Sequence, residues 1–130
     1  MIRPRRGTVT VEFALVMPIL ILFIIAGLEF SRVNMIRNTV INAAYEGARR
    51  GIVPGATAAE CETAATDLLD LVDISGGTAV TSPSTIAPNT DSVTVTVAVP
   101  ITTANAFVTP QFFFGKTISA EVTLPREVTF

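Results

Sequence analysis

Histidine is absent from this chain of 130 residues, and cysteine occurs once, at Cys61. Histidine is the side chain best suited to proton transfer near neutral pH, so its absence argues against an enzyme. A single cysteine without histidine cannot build a zinc site of the usual kind, and it cannot form a disulfide within the chain. We therefore expect no catalytic residue, no metal and no cofactor. Cys61 is expected to be a small buried residue on a helix face.

Basic residues are scarce after Gly51, where only Lys116 and Arg126 occur. Eight acidic residues lie in the same part of the chain, so two basic residues against eight acidic ones give a formal charge of −6. Phosphate binding needs a clustered basic face, which this acidic part cannot offer. Nucleic acid is therefore excluded as an expected partner.

Two short patterns resemble binding motifs but fail a closer test. Gly115–Thr117 looks like the end of a phosphate-binding loop, but that loop needs a glycine where Pro110 stands, and a helix where we predict a strand. Asp67, Asp70 and Asp73 are spaced three residues apart and could suggest a metal. A solvated helix face is the expected interpretation of that spacing.

A long apolar segment near the N-terminus predicts a membrane-spanning helix. Phe13 to Leu28 is a run of 16 residues without charge, which at about 1.5 Å per residue covers only about 24 Å. Counting from Val9 to Phe30 gives 22 residues, or about 33 Å, enough to cross a hydrocarbon core of about 30 Å. We predict one span at about residues 9–30, with Glu12 and Glu29 toward the two interfaces.

The arginines near the two ends of this span bear on its orientation. Arg3, Arg5 and Arg6 favour a cytoplasmic N-terminus, because loops on the cytoplasmic side carry an excess of basic residues. Arg32 and Arg37 follow the span and weaken that argument. The expected arrangement is a single-pass protein of a bacterial inner (cytoplasmic) membrane, with residues 51–130 forming an extracytoplasmic acidic domain.

The helix is expected to continue beyond the membrane. Apolar or small residues recur at steps of three and four, which is typical of an amphipathic helix: Val33, Ile36, Val40, Ala43 or Ala44, and Gly47. Gly51 and the Pro54–Gly55 pair are expected to end it. Residues 8–50 are thus predicted to form one long helix, the first half in lipid and the second in water.

The remainder predicts an α+β domain with one helix and an antiparallel sheet of two to four strands. Thr57 and Glu60 form a capping box, and Gly76–Gly77 is expected to stop the helix that they begin. Alternating apolar and polar residues predict half-buried strands at 92–101 and 116–124, and 78–81 is expected to add a short edge strand. We expect the long helix to pack on this domain.

An aromatic segment between the last two strands allows two interpretations. It contains Phe107, Phe112, Phe113 and Phe114. The cluster is expected to plug the sheet against the long helix. The alternative is an exposed hydrophobic contact surface.

The first residues resemble the leader of a prepilin, a short basic peptide that a membrane-embedded aspartic peptidase removes after a glycine. Gly7 closes the basic leader, and Glu12 and Phe13 follow at the fifth and sixth positions after it. A secretory signal peptide fits poorly, because small residues for its cleavage are missing after the apolar run. The resemblance implies cleavage between Gly7 and Thr8, with residues 1–7 as the leader.

Glu12 is expected to have a function, because a carboxylate near a membrane span is costly to keep there. Cleavage would give Thr8 a free α-amine with a pKa of about 7.7–8.0. In a filament of packed helices that amine could pair with Glu12 of a neighbour and set the axial register. Two alternatives stay open: Glu12 could favour the positive end of its own helix, or meet its own Thr8 amine one turn away.

A second resemblance narrows the family. Val11–Ala14, Pro18 and the segment Ala43–Arg49 resemble the TadE-like minor pilins of tight-adherence pilus systems. The resemblance covers about the first 50 residues. Pro18 removes a helix hydrogen bond to Ala14, so it is either a flexible point for assembly or an ordinary proline of a membrane helix.

The resemblance implies a minor pilin or pseudopilin, processed by a prepilin peptidase, that takes part in assembling or initiating a tight-adherence type pilus. Its implied partners are the membrane, the prepilin peptidase, other pilin or pseudopilin subunits and the pilus assembly machinery. Glu12, Phe13 and Pro18 are the residues expected to act in assembly. The alternative is a permanently anchored membrane protein whose outer domain binds an envelope partner.

Overall fold

The computed structural model describes residues 6–106, Phe113 and residues 115–127. Within these residues the chain forms two helices and three strands, which confirms the α+β prediction: α1 (Arg6–Gly51), α2 (Ala58–Asp70), β1 (Thr78–Ser82), β2 (Ser92–Pro100) and β3 (Thr117–Pro125). The predicted short edge strand is β1, and the two alternating segments are β2 and β3.

The strands form an antiparallel sheet in the order β1-β2-β3. Val95 of the central strand lies opposite Thr81 on one side and Val122 on the other. The valines of β2 are completely buried on one face of the sheet: Val93, Val95, Val97 and Val99. The opposite face is wet, and there the hydroxyls of Thr94 and Thr123 lie 2.8 Å apart. The alternation in the sequence therefore marked the buried face correctly.

Both helices pack on the buried face of the sheet, and their small and branched residues fill the core with the valines of β2. The second half of α1 contributes Ile36, Val40, Ala43, Ala44 and Ala48, and α2 contributes Cys61, Ala65 and Leu69. Burial of this apolar surface is the main stabilising term for the domain. The single cysteine is free, so no disulfide adds to it.

The contacts fix the direction of each element along α1. Gly51 lies against Val93 and Cys61, and Gly47 lies against Val95 and Ala65. From Gly51 back to Gly47 the residue numbers fall along α1, while those of the contacting residues rise along α2 and β2. Both elements therefore run antiparallel to the long helix. We call the end of the domain near Gly51 the distal end and the end near Arg32 the proximal end. The segments that follow α2 and β2 lie at the proximal end.

Helix α2 ends earlier than Gly76–Gly77, and its end differs from the prediction. Asp73 adopts a left-handed conformation with φ of 56°. The amide of Asp73 donates to Asp70 O, and the amide of Ile74 donates to Leu69 O, each at 3.1 Å. These two bonds form a Schellman motif, the usual way to satisfy the last carbonyls of a helix. The sequence prediction was wrong here because the left-handed residue is an aspartate rather than a glycine.

Candidate functional site

Helix α1 has two halves with different surroundings. An 18-residue window of it has a mean hydropathy of 2.6, and none of that window is buried inside the protein. Residues 7–28 are all exposed or half-exposed. At about 1.5 Å per residue they extend about 33 Å, close to the thickness of a hydrocarbon core. This apolar half, which we call the free half of α1, is compatible with a single-pass membrane protein.

The domain meets α1 at Glu29, which is only 2% exposed. The next residue, Phe30, places its ring 6.3 Å from the ring of Phe113 at an interplanar angle of 50°. One turn of the helix further, Arg32 Nε donates to Asn105 O at 3.3 Å. This carboxylate is buried in the folded chain, and its position toward a membrane interface stays a prediction.

Phe113 is half-buried and packs against the hydrophobic core. Its contact with Phe30 joins the β2–β3 connection to the long helix. For this residue the structure supports the plug interpretation of the aromatic cluster. Phe107, Phe112 and Phe114 lie outside the described residues.

The predicted cleavage site lies in the first turns of α1. Gly7 and Thr8 are both exposed, and a Cβ added at Gly7 would meet nothing within 4 Å. Glycine destabilises a helix by about 1 kcal/mol relative to alanine, which favours local opening of the backbone at this point. The site is thus accessible, and cleavage at the Gly7–Thr8 bond stays a prediction.

Glu12 projects from the free half of α1 among apolar residues. Val9, Glu12, Phe13 and Val16 line one open depression on a single helix face. The helix begins at Arg6 and has no acidic residue in its first turn. Since the helix dipole acts mainly within the first turn, this position weakens the interpretation that Glu12 serves its own helix end. Thr8 and Glu12 are four residues apart on one face, so the alternative of an internal pair stays open.

Pro18 lies inside the continuous helix α1. Proline has no amide hydrogen, so the carbonyl of Ala14 loses its helical partner there. The residue is exposed, and it lies in the apolar part of the helix that the described residues leave unburied. Its assembly role, like those of Glu12 and Phe13, stays a prediction.

The second half of α1 has a row of small residues, which lets α2 and β2 pack close to the helix backbone. We call the following buried residues the small-residue seam: Ala43, Ala44, Gly47, Ala48 and Gly51. A Cβ added at Gly47 would lie 2.9 Å from the backbone oxygen of Cys61 and 3.1 Å from Val95 Cγ1. The segment Ala43–Arg49, which carries part of the family resemblance, thus has a packing function.

Cys61 lies on the opposite side of this contact and is completely buried, as predicted. Its Sγ donates to the carbonyl of Thr57 at 3.2 Å. Burial, and after it the negative charge of Glu60, raise the pKa of the Cys61 thiol from its ordinary value of 9.0. Glu60 also completes the predicted capping box with Thr57 and lies 3.8 Å from Arg50. The cysteine is therefore a protonated packing residue rather than a reactive thiol.

Asn105 is a structural residue that sequence reasoning missed. It is completely buried at the proximal end. Its side-chain oxygen accepts from the amide of Ser75 at 2.9 Å, and its Nδ2 donates to Ser75 O at 2.8 Å and Pro100 O at 2.9 Å. With Arg32 bound to its carbonyl, Asn105 joins α1, the segment after α2 and the end of β2. No local pattern marks this role, because an asparagine in a loop normally indicates a turn.

The structure also shows where the two motifs rejected from the sequence lie. Thr117 begins β3, so the helix that a phosphate-binding loop requires does not follow Gly115. Asp67, Asp70 and Asp73 are all exposed. Among the described residues, no group of three histidine, cysteine, aspartate or glutamate side chains is arranged to hold a metal ion.

Comparison with known proteins identifies the long helix. Residues 7–49 match the family model described as TadE-like protein. A search of curated proteins and a search of solved structures each gave no match. The matched residues coincide with α1, which contains both the free half and the small-residue seam. The resemblance seen in the sequence is thus confirmed for this N-terminal helix, which is similar to that of TadE-like proteins.

Proposed function

We propose that this protein is a minor pilin or pseudopilin-like subunit that a prepilin peptidase cuts after Gly7 and that takes part in assembling or initiating a tight-adherence type pilus. The TadE-like match over residues 7–49 suggests involvement in such a pilus system. The observation that carries the proposal is the division of α1 into the exposed, apolar free half and a second half, from Glu29 to Gly51, that packs on the domain and that we call the docked half. A helix of this kind can stay in lipid before assembly and pack against other helices afterwards.

The proposed mechanism depends on the end of the free half. Cleavage exposes the α-amine of Thr8, a cation near neutral pH, on the same helix face as Glu12. In lipid or in a helical filament core, an unpaired carboxylate is unfavourable, so a neighbour's amine stabilises Glu12 and fixes the axial offset of two subunits. Phe13 lies beside Glu12 on that face and adds apolar contact.

The same proposal places the protein in a bacterial inner membrane, with its N-terminus in the cytoplasm and its domain outside. The basic leader supports this orientation. The domain supplies contacts to other subunits or to the assembly machinery, and the protein acts structurally rather than as an enzyme. A permanently anchored membrane protein is the competing function.

Mass spectrometry of the protein extracted from membranes tests the proposal. We expect the mature N-terminus at Thr8, and we expect Gly7→Ala to be cut poorly because the peptidase needs close access to the backbone. An intact Met1 terminus in a strain with active prepilin peptidase would support the permanent anchor instead.

Three variants of Glu12 separate processing from assembly. Glu12→Ala and Glu12→Gln are expected to be cut but to fail in assembly, while Glu12→Asp keeps the charge and retains part of the function. Normal pilus formation by the uncharged variants would show that the pairing argument is wrong.

A further inference from the structure

Strand β3 lies at one edge of the sheet, and the register fixes which of its backbone groups point outward. Ile101 N donates to Lys116 O, and Arg126 N donates to Asp91 O, each at 2.8 Å. Backbone groups in an antiparallel pair face the partner at every second residue, so the even-numbered residues from Lys116 to Arg126 face β2. The amides of the alternate residues point away from the sheet: Thr117, Ser119, Glu121 and Thr123. All four residues are exposed.

The other edge of the sheet is covered by α2, whereas none of the described residues covers the edge of β3. On β1, which has five residues, the amide of Thr81 donates to Glu62 Oε1 of α2 at 3.0 Å. On β3, which has nine residues, none of the outward amides donates a hydrogen bond within the described part of the chain. A long unpaired edge of this kind is a template for the addition of another strand.

The inner face of β3 is also incompletely covered. Each valine of β2 on this face is fully buried, whereas the residues of β3 on the same face are half-buried: Ile118, Ala120, Val122 and Leu124. An added strand with apolar residues on that side would remove more of this surface from water. Backbone hydrogen bonding and apolar burial therefore favour the same occupant.

We propose that the free edge of β3 binds an extended segment of another protein, in which apolar residues alternate with hydroxyl-bearing ones and a basic side chain lies opposite Glu121. Glu121 is central on the outer face of β3, and directly opposed charges of opposite sign stabilise a strand pair. The formal charge of −6 after Gly51 likewise favours a basic partner. This main-chain mode gives affinity through the backbone and selectivity through alternate side chains.

A second copy of this chain is a poorer occupant. Antiparallel pairing of two β3 edges would point the two free halves of α1 in opposite directions, which one membrane does not allow. The register that overlaps the two nine-residue strands completely would also place Glu121 opposite Glu121, and like charges in that position are unfavourable. The membrane part of this argument rests on the proposed function, whereas the binding experiment does not depend on cleavage or on pilus assembly.

The test uses the full chain in detergent micelles and two synthetic nine-residue peptides of alternating threonine and valine. One peptide has arginine at its centre and the other has glutamate. Fluorescence anisotropy measures binding, and hydrogen exchange follows the amides of Ser119, Glu121 and Thr123. We expect the arginine peptide to bind at least about fivefold more tightly than the glutamate peptide and to slow hydrogen exchange at these amides. Glu121→Lys should reverse the preference.

Variants of Ser119 provide the matched control. Ser119→Pro removes one outward amide without breaking the ladder to β2, because proline is tolerated where the edge faces solvent. It should weaken peptide binding by about tenfold, the equivalent of one hydrogen bond, while Ser119→Ala should change it by less than about twofold. Equal binding by both variants, no binding of either peptide, or slow exchange at these amides without peptide would overturn the proposal. Protection that instead increases with protein concentration would assign the edge to a second copy and overturn it too.

Discussion

The substitution Gly47→Ala measures how closely the small-residue seam holds α1 to α2. The added Cβ would lie 2.9 Å from the carbonyl oxygen of Cys61 and 3.2 Å from the Cβ of Ala65. The first contact is with backbone, which cannot move away by a change of rotamer, so we place the cost of overpacking near the upper end of its usual range, about 3 kcal/mol. The higher helix propensity of alanine returns about 1 kcal/mol. The expected net loss in the free energy of unfolding is about 2 kcal/mol.

The single cysteine offers an assay for this loss in the full chain. Cys61 is buried in the seam contact, so brief alkylation at increasing temperature or denaturant reports the fraction of molecules whose domain has opened. A loss of about 2 kcal/mol should lower the midpoint temperature by about 10 °C for a domain of this size. The control is Gly27→Ala, since a Cβ there meets nothing within 4 Å. If Gly47→Ala is as stable as the parent chain, the close backbone approach does not constrain this position and the packing argument is wrong.

Further predictions concern the rest of the domain. Asn105→Ala should reduce the free energy of unfolding by about 3 kcal/mol, because it removes three hydrogen bonds that the fully buried Asn105 side chain makes with the backbone of Ser75 and Pro100; chemical unfolding checks this. Thr57→Ala should cost about 1 kcal/mol through loss of the α2 cap, measured in the same way. The folded Cys61 thiol keeps its proton to higher pH than the unfolded thiol, owing to burial and then to the charge of Glu60. The free energy of unfolding should therefore be unaffected by this group below about pH 9 and should fall as the pH rises further, and Cys61→Ala should abolish that fall.

The strands were predictable because one face of the sheet is buried and the other is wet. The valines of β2 occur at every second position, so only one face of the strand can be buried. A shift of the strand pairing by one residue would turn all of them toward solvent. The start of α2 was equally clear, since Thr57 and Glu60 form a local hydrogen-bonded motif that depends on three residues of spacing. In both cases the signal lies within a few residues of the feature that it predicts.

The features that were missed depend on contacts between distant segments. The role of Asn105 requires Ser75 and Pro100 to be brought together by the fold, and the sequence around Asn105 contains no sign of them. The burial of Glu29 likewise depends on the domain folding back along α1. The end of α2 was missed for a different reason, because aspartate rarely takes the left-handed conformation that Asp73 adopts here.

The extent of the family match has a physical basis in the two tasks of α1. Its free half must be apolar over a length close to a membrane, and its docked half must keep small residues on the one face that meets α2 and β2. Both requirements act on consecutive residues of one helix, so together they leave a recognisable pattern from Gly7 to Arg49. The sheet needs only alternation and a suitable core volume, which many sequences satisfy. The helix therefore carries the similarity to TadE-like proteins, while the binding that we propose for the domain depends on exposed positions such as Glu121.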